Sequence, residues 1–145
     1  MKVLLQRVSQ ACVHVEGEEV GRIGTGLMVL VGIEHHDDES LVERMAQRLA
    51  GYRVFADAQG RMNLDVGQAG GAVLAVSQFT LVADTRKGRR PSFTAAAAPE
   101  QGRHLYQYFV TALRATGLPV ETGIFAADMQ VSLVNDGPVT FLLEM

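Results

Sequence analysis

Gly70-Gly71-Ala72-Val73-Leu74-Ala75-Val76-Ser77-Gln78-Phe79-Thr80-Leu81 begins as one kind of segment and ends as another. The five apolar residues Ala72 to Val76, behind a glycine pair, read as a central strand buried on both faces. Such a strand should stay apolar, yet it runs into two hydroxyls and an amide around an aromatic ring. The charged loop Asp84-Thr85-Arg86-Lys87-Gly88-Arg89-Arg90 follows. Polar groups at the end of a buried strand require hydrogen-bond partners or a chemical role. Composition alone also allows a plainer account, in which the strand surfaces and its hydroxyls bond their own loop.

The chain has 145 residues and is read as a single domain over residues 1–145, large enough to bury a core without covalent staples. No apolar run approaches the ~20 residues of a membrane span, and no secretory segment is visible at Met1 to Leu5. Cys12 is the sole cysteine, in keeping with a reducing cytoplasm, and nothing beside it marks a nucleophile. The net charge of −3 argues against broad, sequence-blind binding to nucleic acid. It leaves room for a local contact: Arg86, Lys87, Arg89 and Arg90 put four cations within five residues. Beside a polar strand end they could meet a phosphate-bearing ligand, or form a solvated turn about Gly88.

From the N-terminus, Val3 and Leu5 and then Ala11, Val13 and Val15 alternate with polar neighbours, which predicts a long strand. The apolar parity changes between Arg7 and Gln10, so a bulge is expected there. Arg7 falls on the apolar parity, where an arginine must be paired or face a polar cavity. A hairpin turn at Glu16 to Glu19, a short strand Val20 to Ile23 and a second apolar strand Leu27 to Ile33 follow. His35-His36-Asp37-Asp38 lacks metal-ligand spacing, so no metal site is assigned; it reads as an acidic helix start, with Ser40 and Glu43 spaced as a capping box. Leu41, Val42, Met45, Ala46 and Leu49 form the apolar stripe of that helix, and Gly51 ends it. Tyr52 to Ala56 reads as a short strand before a turn at Asp57 to Gly60.

A second long helix is expected from Pro99 to Gly117, with Leu105, Phe109, Ala112 and Leu113 inward and His104 a surface residue without an obvious partner. Beyond it, Met129, Val131 and Leu133 alternate with polar residues, as do Val139, Phe141 and Leu143. These read as two strands joined at Asn135-Asp136-Gly137-Pro138, where Asp-Gly signals a hairpin and Pro138 removes a donor as pairing resumes.

Ser77-Gln78-Phe79-Thr80-Leu81, Arg90-Pro91-Ser92-Phe93, Phe125-Ala126-Ala127-Asp128-Met129-Gln130-Val131 and Asn135-Asp136-Gly137-Pro138-Val139-Thr140 together resemble the D-aminoacyl-tRNA deacylase family, colinearly over essentially the whole chain. The resemblance implies a mixed α/β fold of mainly antiparallel, β-barrel-like sheets with two long helices. It implies a homodimer in the cytoplasm whose active sites lie at the interface, with Ser77 to Thr80 of one subunit facing a cis Gly137-Pro138 segment of the other. Arg7 resembles the family arginine that holds that segment, and Met129 belongs with it in substrate binding. The substrate implied is a tRNA whose 3′-terminal adenosine carries a D-amino acid, or glycine. Hydrolysis of its ester would be a proofreading step in translation.

The residues can be tested against that chemistry. There is no Gly-x-Ser-x-Gly elbow, and no histidine lies in the four motifs, so a side-chain triad is not expected. Thr80 is the obvious side-chain nucleophile but has no adjacent base. The adenosine 2′-hydroxyl beside the ester is the alternative, assisting water, with backbone N–H groups near Phe79 and Thr80 as oxyanion donors. No cofactor is called for. A non-catalytic module for tRNA ends, or an editing enzyme acting on an L-amino acid, remain alternatives at this point.

Overall fold

The computed structural model describes residues 1–145, which form eight strands, two α-helices and one 3₁₀ turn. In chain order these are β1 (Lys2–Val15), β2 (Glu18–Ile23), β3 (Gly26–Gly32), α1 (Glu39–Ala50), β4 (Phe55–Ala56), β5 (Met62–Leu64), β6 (Ala72–Ser77), the 3₁₀ turn Phe79–Val82, α2 (Pro99–Ala115), β7 (Val120–Thr122) and β8 (Gln130–Glu144). One six-stranded sheet in the order β2-β1-β3-β6-β7, with β8 added on the far edge of β1, curls into a nearly closed barrel-like layer; β4 and β5 pair apart from it. The β1 ladders with β2, β3 and β8 are antiparallel, and those of β6 with β3 and β7 are parallel.

The period of two along each strand divides the core into two. Val3 and Leu5 of β1, Val29 and Val31 of β3, and Val73 and Ala75 of β6 face the helices. There they meet Val42, Met45 and Leu49 of α1 and Leu105, Phe109 and Leu113 of α2. Met28, Leu74 and Val76 point to the other face and pack with Val8, Ala11, Val13 and Ile23 inside the barrel. β6 is apolar from Ala72 to Val76, where both its faces are covered. Tyr106 ties α2 to it, donating its hydroxyl to the Ala75 carbonyl at 2.8 Å.

Several expectations are corrected. The two C-terminal strands are one, β8, because both halves pair with β1 in the same direction and the chain never reverses. Between Val8↔Asn135 and Gln6↔Thr140, two steps along β1 match five along β8, so three extra residues bulge out where a hairpin was expected. The cap of α1 is Asp38, whose carboxylate accepts from the Leu41 N–H at 2.8 Å, not Ser40. The Tyr52 to Ala56 strand shortens to Phe55–Ala56. His104 does have a partner, Glu39 on α1 at 2.7 Å. The break in β1 stands as expected, with a register shift between Val8 and Gln10.

Burial pushes the Tyr106 hydroxyl up to about 12 from its ordinary 10.0. The unfolded chain therefore loses this proton at lower pH than the folded chain, so stability is full below pH ~10 and falls as pH rises toward ~12. Tyr106→Phe is expected to cost about 1 kcal/mol at neutral pH through the lost hydrogen bond. It should also flatten the alkaline decline, as read by urea unfolding across that pH range.

Candidate active site

The end of β6 makes the site. The Gln78 N–H donates to the Val31 carbonyl at 2.8 Å, the last backbone bond joining this segment to β3. The chain then tightens into the 3₁₀ turn Phe79–Val82, which lies directly over Gly32. A Cβ at Gly32 would stand 2.7 Å from Val82 Cγ1 and 3.2 Å from Leu81 Cβ, so the turn can close here only over glycine. Within the turn, the Gln78 side-chain amide donates to the Thr80 hydroxyl. The N–H groups of Phe79 and Thr80, at the start of the turn, find no acceptor in the chain.

Beside the turn lies a cavity of about 510 Å³, walled by Ser77, Gln78 and Phe79, by Pro99 and Gly102 of α2, and by Phe125, Ala126, Ala127 and Met129. None of its lining residues is charged. Phe125 is fixed from behind by the Tyr106 ring at 5.9 Å and by the Arg103 guanidinium 4.7 Å from its centroid. Ala126 holds φ +65°, a conformation that costs a residue with a Cβ ~1–2 kcal/mol. The backbone turns there, between the two cavity residues Phe125 and Met129. At the mouth, Phe79 is 61% exposed and meets Phe93 with ring centroids 5.1 Å apart.

The basic loop adjoins this mouth, since it leads through Ser92 to Phe93. Paired Asp84–Ser92 backbone bonds of 2.8 and 3.0 Å close its base. Its four cations are not equivalent. Arg86 makes a two-pronged bond to Asp84 at 2.9 and 2.8 Å, which holds the Asp84 carboxyl well below its ordinary range and raises Arg86 in turn. Lys87, Arg89 and Arg90 are exposed and have no carboxylate within 4.0 Å.

Sequence-predicted residues thus fall into two groups. Ser77, Gln78, Phe79 and Met129 share the cavity, with Thr80 held through Gln78. Arg7, Gly137 and Pro138 do not line it and cluster on the β1–β8 bulge, where the Gly137–Pro138 peptide is cis. The inward Arg7 donates to the Val54 carbonyl at 2.7 Å and the Asp136 carbonyl at 3.0 Å, which gives it the partners its parity demanded. Reading the sequence for site residues passed over Phe93, Phe125 and Gly32. The two aromatics stand inside the family motifs, but only the fold shows that Phe125 lines the cavity and that Phe93 packs against Phe79.

Glu34, His36 and Asp37 gather within 4.8 Å, a closeness the sequence spacing did not foretell. The two carboxylates answer the Met1 ammonium, at 2.7 and 2.8 Å. Burial pushes the Glu34 carboxyl up, but the hydrogen bond and charge of that ammonium outweigh it and hold the group below its ordinary value.

The architecture is shared with solved structures. One is named c-Myc DNA Unwinding Element Binding Protein, with TM-score 0.95 and 40% identity over 100% of this chain and 99% of the other. A second, described as a probable eukaryotic D-amino acid tRNA deacylase, matches at TM-score 0.84 and 19% identity over 99% and 98% of the two chains, a likeness of fold. The hydrolase class is shown by the sequence matches, to a family model and to named relatives. The D-Tyr-tRNA(Tyr) deacylase family model matches residues 4–144. Proteins named D-aminoacyl-tRNA deacylase are 67% identical in Alcanivorax borkumensis, over 100% of both chains, and 62% identical in Idiomarina loihiensis, over 98% of both. This chain belongs to that deacylase family.

Gly32→Ala tests whether the turn's seat governs the site. Its Cβ must push the 3₁₀ turn outward, at an overpacking cost of about 1–3 kcal/mol. A roughly tenfold or larger fall in kcat/KM is expected in protein that still melts cooperatively, since small displacements of positioning groups cost rate steeply.

Proposed function

We propose that the chain hydrolyses the ester of D-aminoacyl-tRNA, and of glycyl-tRNA, to free tRNA and amino acid as a chirality-proofreading step in the cytoplasm. The observation that carries this reading is the division of its motifs. Ser77 to Phe79 and Met129 share an uncharged cavity, while Gly137 and Pro138 stand exposed outside it. A homodimer unites the halves, with Gly137-Pro138 of one subunit entering the Ser77 to Thr80 site of the other. The edge that would meet a partner suits this role. β8 pairs only with β1 and carries Val134 and Leu142 at 47% and 49% exposure.

In the reaction, water attacks the ester carbonyl and the developing oxyanion accepts from the N–H groups of Phe79 and Thr80. The bond to the adenosine 3′-oxygen breaks, with the neighbouring 2′-hydroxyl assisting proton transfer. Thr80 positions the substrate. Selection must act at the α-carbon, because contacts to the side chain would narrow the range of amino acids accepted. The carbonyl groups of Gly137 and Pro138 accept from the α-ammonium and crowd the place of an L side chain, a clash that glycine escapes. Lys87, Arg89 and Arg90 meet acceptor-stem phosphates, and Arg86 braces their loop through Asp84.

Release from matched D- and L-tyrosyl-tRNA tests the reading. The D ester is expected to be hydrolysed much faster, and a D ester on 2′-deoxyadenosine far more slowly; an acyl-enzyme trapped at Thr80 would overturn the mechanism. For the loop, changing Lys87, Arg89 and Arg90 to Gln is expected to raise KM and to lower the log-log salt slope by roughly 0.7–0.9 for each phosphate no longer neutralised. Arg86→Gln should change that slope least. An unaltered slope in the triple variant would return these residues to a solvated loop.

A further inference from the structure

Three extra residues in an edge strand do not hold a fixed shape unless something replaces the ladder bonds they forgo. Arg7 braces the β8 bulge from one side, through the Asp136 carbonyl at 3.0 Å. The Val139 N–H, which the bulge deflects from the ladder, donates to Asn135 Oδ1 at 2.7 Å. The other end of that amide, Asn135 Nδ2, donates to the Thr140 hydroxyl at 3.0 Å. Gln6 of β1 donates its own side-chain amide to the same hydroxyl at 3.1 Å. Asn135 and Thr140 are the last paired residues on either side of the bulge, opposite Val8 and Gln6. One side chain thus spans the neck of the loop and satisfies a displaced backbone donor, while Gln6 anchors its far end to β1.

We propose that Asn135, with Thr140 and Gln6, is a positioning clasp that sets the aim of Gly137 and Pro138 and so takes part in discriminating D from L substrates. The inference rests on the reading that Gly137 and Pro138 select chirality at the partner's site. The clasp touches no substrate. It fixes the distance across the bulge and so decides where the two exposed carbonyls project. Asparagine suits the position because its amide accepts at one end and donates at the other. Alanine does neither. Aspartate keeps the acceptor for the Val139 N–H, and the Thr140 hydroxyl can turn to donate to its carboxylate. Valine at position 140 keeps the shape of threonine but removes the oxygen that both amides use.

The test uses the full-length protein in its native assembly, with D- and L-tyrosyl-tRNA as probes and kcat and KM measured separately. Asn135→Ala is expected to lower kcat on the D ester roughly 10- to 100-fold, as misplacement of a positioning group does, with KM for tRNA little changed. It should also lower the D over L ratio at least about tenfold by the same misplacement. Asn135→Asp and Thr140→Ser should keep most of the rate and the ratio, and Thr140→Val should fall between. Equal losses on both esters with an unchanged ratio would reduce the clasp to a stabilising contact and overturn the proposal. Gly137→Ala separates this from failure of the underlying reading. Its Cβ would stand 2.9 Å from the Val139 nitrogen at φ +141°, so it displaces the loop outright. If Gly137→Ala lowers the ratio and Asn135→Ala does not, the clasp alone is wrong. If neither does, chiral selection by this segment fails and the clasp with it. Should Asn135→Ala not fold, Thr140→Val carries the same comparison.

Discussion

β1 is hydrogen-bonded along both edges, to β8 on one side and to β3 and then β2 on the other, and the parity of its buried residues changes midway. Its first half turns Val3 and Leu5 toward the helices, and its second turns Ala11 and Val13 into the barrel. A strand with a period of two can serve both faces only by inserting a residue, which is the register shift between Val8 and Gln10. β8 follows β1 along its whole length and must pass the same point. It does so with its own, larger irregularity, the bulge that carries Gly137 and Pro138. The position of the exposed segment is thus coupled to how one strand divides itself between two cores, and Arg7 lies on β1 at that junction.

The second consequence of the sheet is electrical. β6 is covered on both faces, so the groups at its end emerge into an apolar surround, and the cavity there has no ionised side chain on its walls. Oriented N–H groups and hydroxyls interact more strongly in such a place than in water. Fixed dipoles can stabilise developing charge in such a place without an ionised side chain. Charge is kept outside, on the loop that ends at Phe93. Even there one of the four cations serves the loop's own shape, as the bond from Arg86 to Asp84 makes plain.

α2 does more than cover the core. Its Tyr106 bonds Ala75, two residues before Ser77, and stacks near Phe125 on the opposite wall. One buried aromatic therefore joins the strand that carries the turn to the segment that carries Met129. Rigid support of this sort keeps a cavity open in a small chain, where unsupported walls would collapse to bury their apolar surface.

Local pattern was enough for the elements whose periodicity is strong. The apolar stripes gave both helices, alternation gave β1 and its break, and the polar end of the Ala72 to Val76 run located the turn. The colinear motifs pointed to the family. What local pattern misread was the C-terminal pair of strands: Asp136-Gly137 is a good hairpin signal, and only the continuous β1 alongside turns it into a bulge. That Gly137 and Pro138 stand apart from the Ser77 cavity within one chain was implied only by the family resemblance, because spacing along a chain carries no information on which cavity a residue borders. Nor did residue type distinguish Arg86 from its three neighbours, since the pair with Asp84, two residues away, depends on the backbone conformation of the loop. Periodic burial is a property of neighbouring residues and is written in the sequence. The bulge and the cavity arise from contacts between distant segments, and those exist only once the sheet has closed.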